Sequence, residues 1–468
     1  MKTLYRFLIL GAFIATTMNS CTDSVLNEIG SNPNSPTEVP IKLLMPQVGV
    51  DLAFGVLGVD LAWYSSVFVE HTTGVHGQLE GADKRTEINS TMVNNSWNTI
   101  YADFLSDLEA IIERGSAGGA EEGAFTSVGI AKVLKAFGFS VATDLWGEVP
   151  FSEALKGSEN RTPAFDSQET VYNGLFALLD SAIADLAMSS VSPGSSDFYY
   201  GGNPELWTKA AYALKARLYN RLSKKDPQGS ANNALAAIAN SFSSPEESMI
   251  FSSFTTAATG QNPWFQELND RSHHAVSVTM NSILEGLSDP RRELWFGDID
   301  GEIVPAPNGT AVTDQAGSIY SRASESYLTA TSPIPIITYD ELKFIEAEAN
   351  LRLGERDLAY AAYQEAVVAA LERANVAGED IDAYTSQAQV FTGAANLTLA
   401  DIIRQKYVSF WLFQPIEAYN DYRRTGFPTL SNPISPPPQR FPYTQDEIAS
   451  NTANVPNVSF QTKVWWAE

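Results

Sequence analysis

Between residues 340 and 374, five positions constrain the backbone more than any other stretch of the chain. Ala347, Gly354, Ala359, Tyr363 and Ala366 fall at offsets of 0, 7, 12, 16 and 19. Small residues at 347, 359 and 366 let two antiparallel helices approach closely. Gly354 makes the turn between them, and Tyr363 fills the groove. Two helices cannot bury both of their faces alone, so this hairpin demands neighbouring helices of the same kind.

The spacing matches the small-and-aromatic positions of a tetratricopeptide repeat, whose period is about 34 residues. The fold class expected is mostly α: tetratricopeptide-like helical pairs forming an α-α superhelix. Apolar periodicity supplies the partners. Residues 41–70 carry Leu44, Val48, Leu52, Leu61 and Val67 at helical spacing. Residues 97–114 place Trp97, Ile100, Phe104, Leu108 and Ile111 on one face. Further helices are expected at 125–143, 168–187, 204–222 and 231–241. The expected pairs are 97–113 with 125–143 and 168–187 with 204–222, with 398–413 as a closing helix. Residues 243–336 interrupt this pattern with Ser, Thr, Gly, Asn and Pro, leaving room for one helix near 276–287. So long an irregular insertion in a helical scaffold is where function is expected.

Length alone suggests about three domains, but the periodicity argues for one helical body over 41–468. The net charge of −25 disfavours nucleic acid, which needs clustered Lys and Arg. The amino terminus reads as an export signal. Lys2 and Arg6 precede the apolar run 7–15 (FLILGAFIA), too short to span a bilayer. Met18-Asn19-Ser20-Cys21 resembles a lipobox, and Cys21 is the only cysteine among 468 residues. The expectation is a signal peptide at 1–20, lipidation at Cys21, a flexible tether at 21–40 and a membrane held by that lipid anchor. No later stretch approaches about 20 consecutive apolar residues.

Catalytic motifs are missing. There is no GxSxG elbow, no GxxxxGK[ST] loop and no HExxH. His71 and His76 lie five apart, and adjacent His273 and His274 chelate one metal poorly, so no metal and no cofactor are expected. Asp298-Ile-Asp300-Gly301-Glu302 lacks the calcium-loop spacing and is expected as a tight turn. Aromatics in the insertion carry the chemistry. Trp and Tyr rings stack on the C–H face of a sugar, while Arg, Asn and His bond its hydroxyls. The candidate ligand-binding residues are Trp264, Trp295, Tyr320 and Tyr327, with Arg271, His273 and His274 as the polar rim. The next region to consider is 63–85, around Trp63, His76, Gln78 and Arg85.

Several stretches together resemble the SusD/RagB family of nutrient-binding lipoproteins. They are Asn32-Pro33-Asn34-Ser35-Pro36-Thr37 with Leu43-Leu44-Met45-Pro46, residues 143–151 (TDLWGEVPF), Asp289-Pro290-Arg291, and Pro305-Ala306-Pro307-Asn308-Gly309. Glu346-Ala347-Glu348-Ala349, Ile403-Arg404-Gln405-Lys406-Tyr407, residues 417–424 (EAYNDYRR) and Arg440-Phe441-Pro442-Tyr443 complete the set. The resemblance implies four tetratricopeptide-like pairs, an irregular ligand-binding half and no catalysis. It implies a cell-surface, outer-membrane protein that captures carbohydrate for a TonB-dependent SusC-like transporter, on which it acts as a hinged lid. Binding aromatics vary in this family, so no ligand residue carries over by motif. The competing readings are a secreted helical polysaccharide-degrading enzyme, a family member that binds peptides, and a pure scaffold.

Overall fold

The computed structural model describes residues 39–468. Cys21, the signal segment and nearly all of the tether lie outside the described residues. Residues 41–468 form one compact unit. Its backbone is a succession of helices: Ile41–Val50, Asp60–Phe68, Leu105–Gly115, Phe125–Trp146, Gln168–Leu186, Pro204–Arg221, Pro227–Ile238, Tyr339–Leu353, Arg356–Arg373, Leu399–Ser409 and Pro415–Thr425.

The 340–374 hairpin forms as the small residues dictate. Ala347, Ala359, Tyr363 and Ala366 are fully buried in one apolar cluster with Phe344, Val367 and Leu371. Gly354 adopts φ +84° at the end of the first helix. An added Cβ there meets nothing within 4 Å, so its backbone conformation, not space, calls for glycine. Tyr363 donates its hydroxyl to the Val390 carbonyl at 3.0 Å. Leucine at Ala359 has no room between the two helices. Ala359→Leu should cost about 1–3 kcal/mol through overpacking, read as a lower denaturant midpoint; an unchanged midpoint would count against this close packing.

The expected helix pairs touch, but the more extensive hairpins are offset by one helix. Phe125–Trp146 packs chiefly on Gln168–Leu186, and Pro204–Arg221 on Pro227–Ile238. The alanines make the second pairing possible: Ala210, Ala213, Ala231 and Ala234 are all completely buried. Phe125–Trp146 is apolar and long enough to cross a bilayer, but 83% of its apolar window is buried within the body. It is a core helix.

The motif residues build a buried polar lattice rather than a surface. Asp144 accepts from Tyr172 Oη at 2.5 Å, Trp466 Nε1 at 2.8 Å and Arg221 Nε at 3.2 Å. Arg424 reaches Glu348 with both terminal nitrogens and Asp421 at 2.8 Å. Lys406 holds the other Asp421 oxygen at 2.9 Å. Arg291 grips Asp289 with two bonds, at 2.9 and 2.6 Å. These charges tie the helices of the body to its carboxyl-terminal segment.

The insertion is held by two short antiparallel ladders. Strand β1 (Thr72–Gly74) pairs with β3 (His274–Val276), and β2 (Met249–Phe251) with β4 (Ile334–Ile337). Helices Pro263–Asp270, Val278–Gly286 and Arg291–Trp295 fill the space between them. The 298–302 segment is the expected tight turn, with Gly301 N–H donating to Asp298 Oδ1 at 2.8 Å.

Candidate functional site

The β1–β3 ladder decides which residues share a surface. Its register sets Thr72 opposite Val276 and Gly74 opposite His274, and Val75 N–H continues it onto the His273 carbonyl at 3.0 Å. The 63–85 segment and the 264–274 segment, separate candidates in the sequence, therefore form one face. The 310–320 loop joins them: Asp314 N–H donates to the Val75 carbonyl at 3.1 Å, and Ala316 N–H to that of Ser272 at 2.7 Å.

On this face the His76 and His273 rings lie 4.8 Å apart. Gly77, at φ +57°, makes the approach possible, since a Cβ there would sit 3.3 Å from the His273 ring. Burial, His76 and Arg271 all push the His273 imidazole below its ordinary pKa. It is neutral at pH 7 and offers one N–H and one lone pair, the combination a hydroxyl accepts. The Arg271 side chain is exposed and makes no hydrogen bond or ion pair within the protein. Gln78 is also exposed and accepts from the Tyr64 hydroxyl at 3.3 Å. Tyr320 is half-buried against Val75, Ala275, Ala306, Ala311 and Ala316, with Val312 and Ile319 exposed beside it.

Beneath the face lies an aromatic cluster. Trp264 stands 5.0 Å from His274 and 6.5 Å from Trp63 between ring centres. The indole nitrogens of Trp63 and Trp264, Nε2 of His274 and Oε2 of Glu267 find no hydrogen-bond partner within the protein. Such a concentration of buried unpaired polar atoms needs an explanation, and ordered water within the cluster supplies one. Burial raises the Glu267 carboxyl to about 7, against the pull of the His273 N–H and of Arg271.

The structure separates the seven sequence candidates. Arg271, His273 and Tyr320 meet on the face just described. Trp264 and His274 are buried under it, at 0% and 2% exposure, and this corrects their expected role as ligand contacts. Asn262 caps the Pro263–Asp270 helix by accepting from Trp264 N–H at 2.8 Å. That anchor turns Trp264 and Leu268 inward. His274 is committed to β3, with Nδ1 bonded to Thr72 Oγ1 at 2.8 Å. Trp295 is also buried, stacked 5.0 Å from Trp411, so it too presents no free ring face. Tyr327 packs against that pair. Trp411 and Phe413 went unread as site neighbours. Their only signal is the apolar run 410–413, which lies beyond the observed Leu399–Ser409 helix although the sequence predicts a closing helix that reaches 413.

Among the described residues, no group of three or more His, Cys, Asp or Glu is placed to hold a metal ion. No protein of curated function matches the sequence. Solved structures do match. One of a SusD/RagB family protein from Bacteroides thetaiotaomicron is 29% identical, with a TM-score of 0.84 over 92% of this chain and 99% of that one. A chitin-binding SusD homolog from Flavobacterium johnsoniae shares the fold at 22% identity and a TM-score of 0.77, covering 92% of this chain and 98% of that one. The family model described as starch-binding and associating with the outer membrane matches residues 33–444. With the helical body and the irregular half both spanned by that match, the chain belongs to the SusD-like family.

Proposed function

We propose that this protein is a non-catalytic glycan-binding lipoprotein, anchored at Cys21 to the outer membrane and facing the cell exterior. It passes oligosaccharide to a TonB-dependent SusC-like transporter. The family description and the chitin-binding relative support the ligand class. The observation that carries the site is the juxtaposition of His76, His273, Arg271 and Gln78 on one face, set by the β1–β3 ladder. Two imidazoles, a free guanidinium and an amide bond hydroxyls in several directions. The Tyr320, Val312 and Ile319 surface beside them offers apolar area to a sugar ring, worth roughly 25 cal/mol per Å² covered. Affinity is modest, because an open face leaves part of the sugar wet.

Titrating the purified protein against a panel of starch, chitin and related oligosaccharides tests this. A ligand found there should bind about fivefold more weakly to His273→Ala or Arg271→Ala, the loss of one hydrogen bond worth about 1 kcal/mol. Wild-type affinity in both variants would place the site elsewhere. Shortened oligosaccharide in the same mixtures would favour the enzyme reading. Saturable binding of peptides in place of sugars would favour the peptide reading. Cys21→Ala should shift the protein from the membrane to the soluble fraction in cells lacking the transporter; continued membrane association there would put the anchor elsewhere.

A further inference from the structure

A cavity of about 240 Å³ opens where three parts of the fold converge. The β2–β4 ladder contributes Ile250 and Pro335. The carboxyl-terminal end of the Arg356–Arg373 helix contributes Arg373 and Asn375, and the segment after Leu399–Ser409 contributes Phe413. Tyr327 lines it too. The Tyr327 ring is backed by Trp411 and Trp295, each 5.6 Å away, and by Phe413 at 5.8 Å. This is a fixed aromatic wall, not a plug. No residue lining the cavity belongs to the His76–His273 face.

The polar groups around the wall have bonds to spare. Arg373 spends Nε and Nη2 on Asp340, at 3.0 and 2.8 Å, and on the Ser409 carbonyl, leaving Nη1 without a partner in the protein. The Tyr327 hydroxyl and the Asn375 side-chain amide make no hydrogen bond within the protein either. The Arg373 charge is balanced by Asp340, and no carboxylate lines the cavity. An aromatic face with unspent donors, and an arginine whose charge is already balanced, suits a neutral ring bearing hydroxyls. The volume falls below the roughly 300–1,000 Å³ of pockets for drug-sized ligands, so it holds one ring rather than a chain.

From this we infer a second carbohydrate subsite, separate from the proposed glycan face, that takes a single neutral hexopyranose against Tyr327. It goes beyond the proposed function and does not depend on it. Ligand-observed saturation-transfer NMR on the full chain tests it, with methyl glucoside and N-acetylglucosamine as probes. Leu294 stands 41% exposed at the cavity mouth, so Leu294→Glu obstructs the cavity without disturbing the core. Asn375→Gly removes the amide while keeping the positive φ of +57°. The expected result is saturable binding of at least one probe, weakened about fivefold or more by either variant and untouched by Arg271→Ala. Absence of binding by both probes overturns the inference. So does binding that Leu294→Glu and Asn375→Gly leave intact, and so does simultaneous loss in Leu294→Glu and Arg271→Ala, which would mean one extended site. Failure of the oligosaccharide titration on His273→Ala, by contrast, bears only on the first face.

Discussion

Arg217→Met should destabilise the protein by about 3–5 kcal/mol, the cost of leaving a buried charge without its partner. Arg217 is 4% exposed on the Pro204–Arg221 helix, and Glu341 is completely buried at the start of the Tyr339–Leu353 helix. They meet in a bidentate pair at 2.7 and 2.6 Å, and Arg217 also donates to the Ile336 carbonyl of β4 at 2.7 Å. Glu341 has no other cation against it; its remaining side-chain donor is Gln414 Nε2 at 3.3 Å. Without Arg217 the carboxylate stays desolvated and uncompensated. The double variant Arg217→Met, Glu341→Leu removes both charges and should recover most of that loss, because paired buried charges owe much of their attraction to desolvation already incurred. Urea unfolding of the two single variants and the double variant measures the coupling. A double variant whose loss equals the sum of the singles would show that the pair contributes no coupling of its own.

That pair also shows what a sequence reveals and what it hides. The 347–366 hairpin was legible because its signal is local: small residues at fixed offsets meet only each other. The motif residues around 144, 348, 417 and 421 were legible as a pattern, yet their role was not. Asp144 finds its partners at Tyr172, Arg221 and Trp466, hundreds of residues apart in places, and no periodicity encodes such a meeting. The site was legible in part. Arg271 and His273 were picked out by chemistry, and 63–85 was noticed separately. Their union depends on β1 and β3, three residues each, too short to leave an alternating signature. Trp264 and Trp295 misled for one shared reason. Aromatic residues near polar ones look like a sugar platform until a capped helix or a stacked Trp411, from a distant segment, covers the ring.

Stability should hold or rise slightly as the pH falls from 7 to about 4.5, then fall steeply below about 4. His71 and His274 are buried and neutral. The Tyr407 carbonyl accepts from His71 Nε2 at 2.9 Å, and burial lowers both imidazoles to about 3. A folded pKa below the unfolded value of about 6.5 means their contribution is complete above 6.5 and is lost as the pH falls toward 3. Two buried carboxyls act in the opposite sense. Burial raises Glu267 and Asp83 each to about 7. Their folded pKa exceeds the unfolded one, so their contribution is complete below about 4 and is lost as the pH rises through 7. A third carboxyl, Asp51, is raised by burial to about 6 and acts with them. Each group moves stability by about 1.4 kcal/mol per pH unit within its window, so from 6.5 to 4.5 the two histidine losses are met by the carboxyl gains. Below about 4 the gains are exhausted. The histidine losses continue, and Asp421, Glu348 and Glu417 join them. Burial works to raise these three, but Lys406 and the arginines around them outweigh it and hold all three below the ordinary carboxylate range. Urea midpoints measured from pH 3 to 8 would trace this plateau and cliff. Glu267→Gln with Asp83→Asn removes the two larger gains and leaves that of Asp51, so a decline should then begin near pH 6.5 and reach on the order of 3 kcal/mol by pH 4.5. A wild-type protein that already declines steadily from pH 6.5 would show that the two buried carboxyls do not take up protons in that range.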